Sequence, residues 1–184
     1  FQKAVQEAFR LGMRVIGYQI LGLPGEPLKS MAGTLASLAG LPLLVGASVF
    51  YLAPGSALWE REPARRDRLE CARLTALPAH SDQVSRDDLY TLLITSRIIN
   101  FIKSLPPGEA PSRVALDQAL ERATDDRSRL GARLLQTLLA EGRLLAWNGR
   151  RHQPLDRFRP EVFRQVWSQI GEIRTLKGGT VVTR

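Results

Sequence analysis

The chain has 184 residues, 44% hydrophobic and 24% charged, with a formal net charge of +8; this balance suits one or two compact domains and excludes bulk disorder. A single cysteine, Cys71, excludes an internal disulfide and any zinc or iron–sulfur site built from several of the chain's own thiolates. The charge is uneven: Lys3, Arg10, Arg14 and Lys29 nearly balance Glu7, Glu26 and Glu60, so the basic excess lies beyond residue 60.

No apolar run reaches the roughly 20 residues of a membrane span. No basic segment leads an apolar core at the start, so the sequence carries no visible signal peptide, and a reduced, cytoplasmic setting is expected. The first residue is Phe1, and Phe1, Ala4, Val5, Ala8 and Phe9 already follow a helical pattern. The expectation is a segment of a longer parent chain.

Residues 1–11 are expected to form that helix, ended by Gly12. Residues 13–21 form an apolar run that predicts a strand buried on both faces. A loop follows, with Pro27 at the mouth of a helix over 28–39, where Leu28, Met31, Ala32, Leu35, Leu38 and Ala39 recur at helical spacing and Gly40 closes the element. A second strand is expected over 43–52, then a turn at Pro54-Gly55-Ser56 and a short helix over 57–61.

Strand, helix and strand joined by short connections predict parallel neighbours. Both Pro-Gly loops then lie at the C-terminal strand ends, where α/β folds hold ligands. Glycine lets a ligand approach the backbone and proline fixes the loop; the same residues also suit plain turns, so both readings stand. Two strands make no independent sheet, and partner strands are expected from elsewhere in the parent.

Ile20-Leu21-Gly22-Leu23-Pro24-Gly25-Glu26-Pro27, followed by a helix and then Tyr51-Leu52-Ala53-Pro54-Gly55-Ser56-Ala57-Leu58-Trp59-Glu60, resembles the latter half of a radical S-adenosylmethionine barrel. The first block is similar to the family's "GLPGET" loop after the fifth strand, the second to its "PGT-x-L-(Y/W)-(D/E)" segment after the sixth. The coproporphyrinogen-oxidase-like, cobalamin-dependent and methylthiotransferase-like branches share the pair. The resemblance covers residues 1–61 and implies the C-terminal portion of a partial (β/α) TIM-like barrel.

It also implies an enzyme that binds S-adenosylmethionine and a [4Fe–4S] cluster and generates a 5′-deoxyadenosyl radical, served by a reductant protein and acting on an unknown substrate. By position, Ile20, Gly22, Pro24 and Gly25 would line the S-adenosylmethionine site, with Tyr51 and Pro54 on the substrate side. Tyr18 replaces the first glycine of the family's G-x-I-x-G-x-x-E pattern, and Glu26 stands one place late, which suits capping of the next helix as well as ligand contact. Pro27 replaces the usual threonine. The C-x-x-x-C-x-x-C cluster motif is missing, so the cluster ligands would lie outside this segment and this segment alone would be inactive; no metal ligand and no acid, base or nucleophile is assigned.

Residues 62–84 are expected to be a linker, charge-dense around Arg65, Arg66, Arg68 and Arg73, with His80 beside Ser81 and Asp82 by adjacency only. Residues 85–184 are expected to be a helical accessory domain carrying a small hairpin. Ser85 is its first N-cap, with Asp88 completing a capping box, and a helix over 85–104 follows. Further helices are expected near 111–124, over 128–142 and over 160–171, with a hairpin at Asn148-Gly149 and a loose end after Lys177. Helix followed by hairpin also describes a winged helix, with Arg150 and Arg151 at the tip. The alternative function is therefore a basic nucleic-acid-binding module on a vestigial α/β unit; an accessory domain of the enzyme is preferred.

Overall fold

The computed structural model describes residues 1–61, 83–105, 114–115, 121, 123–174, 176 and 181–183. Cys71, His80, nearly all of the expected linker and most of the helix expected near 111–124 lie outside the described residues.

The chain opens with helix α1 (Gln2–Arg10). Gly12 takes φ +76, which glycine adopts without penalty. Met13 N donates to Ala8 O at 2.9 Å and Gly12 N to Phe9 O at 3.0 Å, the paired bonds of a glycine-stopped helix end. Strand β1 (Ile16–Leu21) then runs parallel to strand β2 (Leu44–Val49), in a register that sets Ile16 beside Leu44 and Leu21 beside Val49. Helix α2 (Leu28–Ala39) connects them. It buries Met31, Ala32, Leu35, Leu38 and Ala39, the residues whose spacing predicts its inner face.

The expectation that β1 is buried on both faces is corrected. Gly17, Gln19 and Leu21 are buried under α2, but Ile16, Tyr18 and Ile20 are 51%, 78% and 48% exposed. Among the described residues nothing covers that second face. The Tyr18 ring lies against Gly46, where an added Cβ would sit 2.9 Å from two of its carbons. In the parallel ladder the backbone groups of Gly17, Gln19 and Leu21 turn toward β2, and those of Ile16, Tyr18 and Ile20 turn away from it. The open face and the open edge of β1 therefore belong to the same three residues.

Helix α3 (Ala57–Arg61) follows β2. The long helix α4 (Arg86–Ser104) starts on the expected capping box: Ser85 Oγ accepts from Asp88 N at 3.1 Å, and Asp88 Oδ2 accepts from Ser85 N at 2.8 Å. This helix covers β2's outer edge. Asn100 Nδ2 donates to Val45 O and its Oδ1 accepts from Val45 N, both at 2.8 Å, so one side chain occupies the place of a neighbouring strand residue.

Short strand β3 (Val114–Ala115) stands within the stretch expected to be helical. Helix α5 (Asp126–Glu141) is capped by Asp125, whose Oδ1 accepts from Ser128 N, and is ended by Gly142 at φ 69. Strands β4 (Leu145–Trp147) and β5 (His152–Pro154) form the expected hairpin. Helix α6 (Pro160–Trp167) is shorter than expected and buries Val162, Phe163, Val166 and Trp167. Strands β6 (Glu172–Arg174) and β7 (Val181–Thr183) close the description; β7 pairs with β6 and with β3, so part of the end expected to be loose is paired. The hairpin β4–β5 stands apart from that sheet.

The described fold is thus mixed α/β with three small sheets and no closed barrel. One core joins Leu21, Leu35 and Val45 to Leu92, Ile99 and Ile102 of α4, Leu135 of α5 and Val166 of α6. No helix among the described residues is long and apolar enough to cross a membrane.

Candidate functional site at the paired strand ends

Two turns of the same build leave β1 and β2 side by side. Phe50 N donates to Leu21 O at 2.8 Å and holds the strand ends together. In Leu23-Pro24-Gly25-Glu26, Glu26 N closes on Leu23 O at 3.0 Å with Gly25 at φ +76. In Ala53-Pro54-Gly55-Ser56, Ser56 N closes on Ala53 O at 3.1 Å with Gly55 at φ +76. Both are type II turns: proline presets the second position and only glycine takes the positive φ of the third at low cost. Pro24, Gly25, Pro54 and Gly55 are exposed. Ser56 Oγ then accepts from Trp59 N at 3.1 Å and starts α3.

The six residues expected at a site do not all meet the same surroundings. Ile20 lies on the open face of β1, paired in register with exposed Ser48. Gly25 has no atom within 4 Å of where a Cβ would stand, so its turn is open to approach. Gly22 differs. Its φ is +83, its N–H points to Met31 Sδ at 3.1 Å, and an added Cβ would meet both Leu89 methyls at 3.0 Å. Gly22 lets α4 pack beneath the loop. Tyr51 is 39% exposed and Pro54 is exposed in the second turn. Glu26 Oε1 accepts from Ser30 Oγ at 3.2 Å, on the first turn of α2, but no side chain caps a backbone N–H of that helix, so the capping expected of Glu26 is not seen.

Two cavities among the described residues lie elsewhere. An open groove of about 820 Å³ runs along the outer side of α2, between Phe1, Lys29, Thr34 and Gln169. A smaller one of about 300 Å³ lies at the opposite strand end, among Phe9, Met13, Val15, Leu44 and Leu176.

Sequence reasoning missed two polar constellations. Lys103 is fully buried, and its Nζ donates to Ala39 O at 2.7 Å, Leu41 O at 2.6 Å and Arg174 O at 3.4 Å. It ties the end of α2 and strand β6 to α4. Burial pushes its pKa down to about 7, and the nearby Arg174 guanidinium adds to the shift. The signal was present: Thr95, Ser96, Asn100 and Lys103 interrupt the inner face of α4. The second constellation centres on Asp87, which accepts from Arg157 Nε at 3.0 Å and from an Arg159 guanidinium nitrogen at 2.6 Å. Arg157, joined by Arg159, holds the Asp87 carboxyl below its usual range. Arg159 N also donates to Thr91 Oγ1 at 2.9 Å, so the segment after the hairpin is clasped to α4. Nothing in local spacing could pair residues 87 and 157.

Among the described residues no group of three His, Cys, Asp or Glu side chains stands together as a metal site. Compared with known proteins, the chain matches no family model, no curated protein and no solved structure.

Proposed function

We propose that this chain is the C-terminal portion of a radical S-adenosylmethionine enzyme, with β1 and β2 as the last two strands of its partial barrel. The observation that carries the reading is the pair of type II Pro-Gly turns at the C-terminal ends of adjacent parallel strands, beside an apolar face left open. Asn100 closes the edge of β2, which suits a terminal strand, whereas the uncharged edge and face of β1 suit a strand that continues into a larger sheet.

Ile20, Pro24 and Gly25 fit an adenosine moiety: an exposed aliphatic platform beside a turn whose backbone is open to approach. Tyr51 and Pro54 would face the substrate. Gly22 acts here through its backbone shape, keeping the loop seated on Leu89. When bound and reduced by one electron, S-adenosylmethionine supplies the 5′-deoxyadenosyl group that abstracts hydrogen. The [4Fe–4S] cluster does not fit this chain, because one cysteine cannot supply its thiolates; in this reading its ligands belong to the parent.

The test is S-adenosylmethionine binding by the parent protein carrying Ile20→Asp. Loss of an apolar contact of this size is expected to weaken binding about tenfold or more, with the cluster's absorbance unchanged. Unchanged affinity would remove Ile20 from the site.

A further inference from the structure

The β4–β5 hairpin carries an observation that the reading above does not use. Trp147 is 60% exposed, although tryptophan is ordinarily among the most buried residues by area. Its cross-strand partner is His152, with ring centroids 5.2 Å apart and planes tilted by 60°. Immediately beyond this pair the chain turns through Asn148-Gly149-Arg150-Arg151.

The turn is rigid for its size. Asn148 Oδ1 accepts from both Arg150 N and Arg151 N at 2.9 Å, and Asn148 N donates to Arg151 O at 3.1 Å. Asn148 Nδ2 donates to Gln153 Oε1 at 2.9 Å, and Gly149 supplies φ +95. The local hydrogen-bonding groups are consumed within the turn. The Arg150 and Arg151 guanidinium groups are not: both residues are exposed, and neither has a carboxylate partner among the described residues. Arg143 is paired with Glu141, and Arg157 with Asp87.

We propose that this hairpin is a contact finger for single-stranded nucleic acid, with a base stacking on the Trp147–His152 pair and adjacent phosphates held by Arg150 and Arg151. The inference is independent of the radical-enzyme reading. A cross-strand aromatic pair alone would explain hairpin stability, but not two adjacent arginines without a carboxylate partner on a hydrogen-bonded turn. A flat apolar ring next to two adjacent cations is the combination that strands with exposed bases and a charged backbone satisfy together. An acidic protein would answer the arginines and leave the ring without a flat partner. A membrane surface would favour further apolar residues at the tip, where the chain instead places Asn148, Gly149, Arg150 and Arg151.

The experiment measures fluorescence anisotropy of a labelled oligothymidylate of roughly twelve nucleotides titrated with the full chain at several salt concentrations. Binding is expected at low salt and to weaken steeply as salt rises. Arg150→Ala/Arg151→Ala should reduce the log–log salt slope by about 1.4, at about 0.7 per phosphate contact on a single strand. Trp147→Ala should weaken binding about tenfold while Trp147→Phe restores most of it. All three positions are exposed, and an unchanged urea midpoint for each variant shows that the fold is intact. The proposal is overturned by no binding at low salt, by variants that bind as the parent chain does, by equal affinity for a duplex of the same length, or by stronger binding to phosphatidylglycerol vesicles than to the strand.

Discussion

Lys103 and Gly22 decide more of this fold than their residue types suggest. A buried lysine is expensive unless its ammonium finds acceptors. Here Ala39, at the carbonyl end of α2, and Leu41, just past it, supply them. Even so, burial wins and holds the folded pKa at about 7, against an ordinary value of 10.5. Below about pH 7 both folded and unfolded chains hold this proton, and the group adds no pH dependence. Between about 7 and 10.5 only the unfolded chain holds it, so stability should rise with pH through this window. Urea unfolding from pH 6 to pH 10 should show that rise, and Lys103→Met should flatten it. Gly22 offers a sharper comparison. Gly22→Ala combines a positive φ with contact at 3.0 Å to Leu89, whereas Gly25→Ala meets only the backbone cost. The first should lower stability by about 2 kcal/mol and the second by about 1 kcal/mol in equilibrium unfolding.

At the scale of elements, α4 behaves as the missing neighbour of β2. Asn100→Leu would keep the branching at Cγ and leave the Val45 N–H and C=O, on a residue 4% exposed, without their partner. The expected loss is about 2 kcal/mol or more, read by urea unfolding; a loss below a few tenths would mean that water replaces the amide easily. Elements with local signals were legible in the sequence. The Ser85–Asp88 box, the Gly12 and Gly142 helix ends, the two Pro-Gly turns and the Asn148-Gly149 hairpin each depend on residues within a few positions of one another. The hairpin differs in detail, because Asn148 acts through its side chain and Gly149-Arg150 occupy the centre of the turn. What spacing could not give was long-range: Asn100 on Val45, Lys103 on Ala39, and Asp87 on Arg157 and Arg159. The open face of β1 was also illegible, since an apolar strand looks the same whether or not its cover is present. Among the proposed site residues, Gly22 shows the same limit: its glycine signal was visible, but its packing partner Leu89 was 67 positions away.

At the scale of the whole molecule, the β1–α2–β2 unit and the helices after residue 84 share one apolar core, and polar ties cross it at Asn100 and Lys103. The Asp87 clasp fixes the C-terminal half to the same α4. Among the described residues this leaves Ile16, Tyr18 and Ile20 as an exposed apolar face of the sheet, beside the paired turns. A barrel continuing from β1 would cover it and bring the cluster that this chain cannot ligate. The most direct measurement is formation of 5′-deoxyadenosine from S-adenosylmethionine by the complete parent protein, reconstituted with iron and sulfide and reduced without oxygen. The product is expected to form, and to disappear when the cysteines of a C-x-x-x-C-x-x-C motif upstream of Phe1 are replaced by alanine. A complete parent that lacks this motif, or that carries a reduced cluster and forms no 5′-deoxyadenosine, would contradict the radical-enzyme reading.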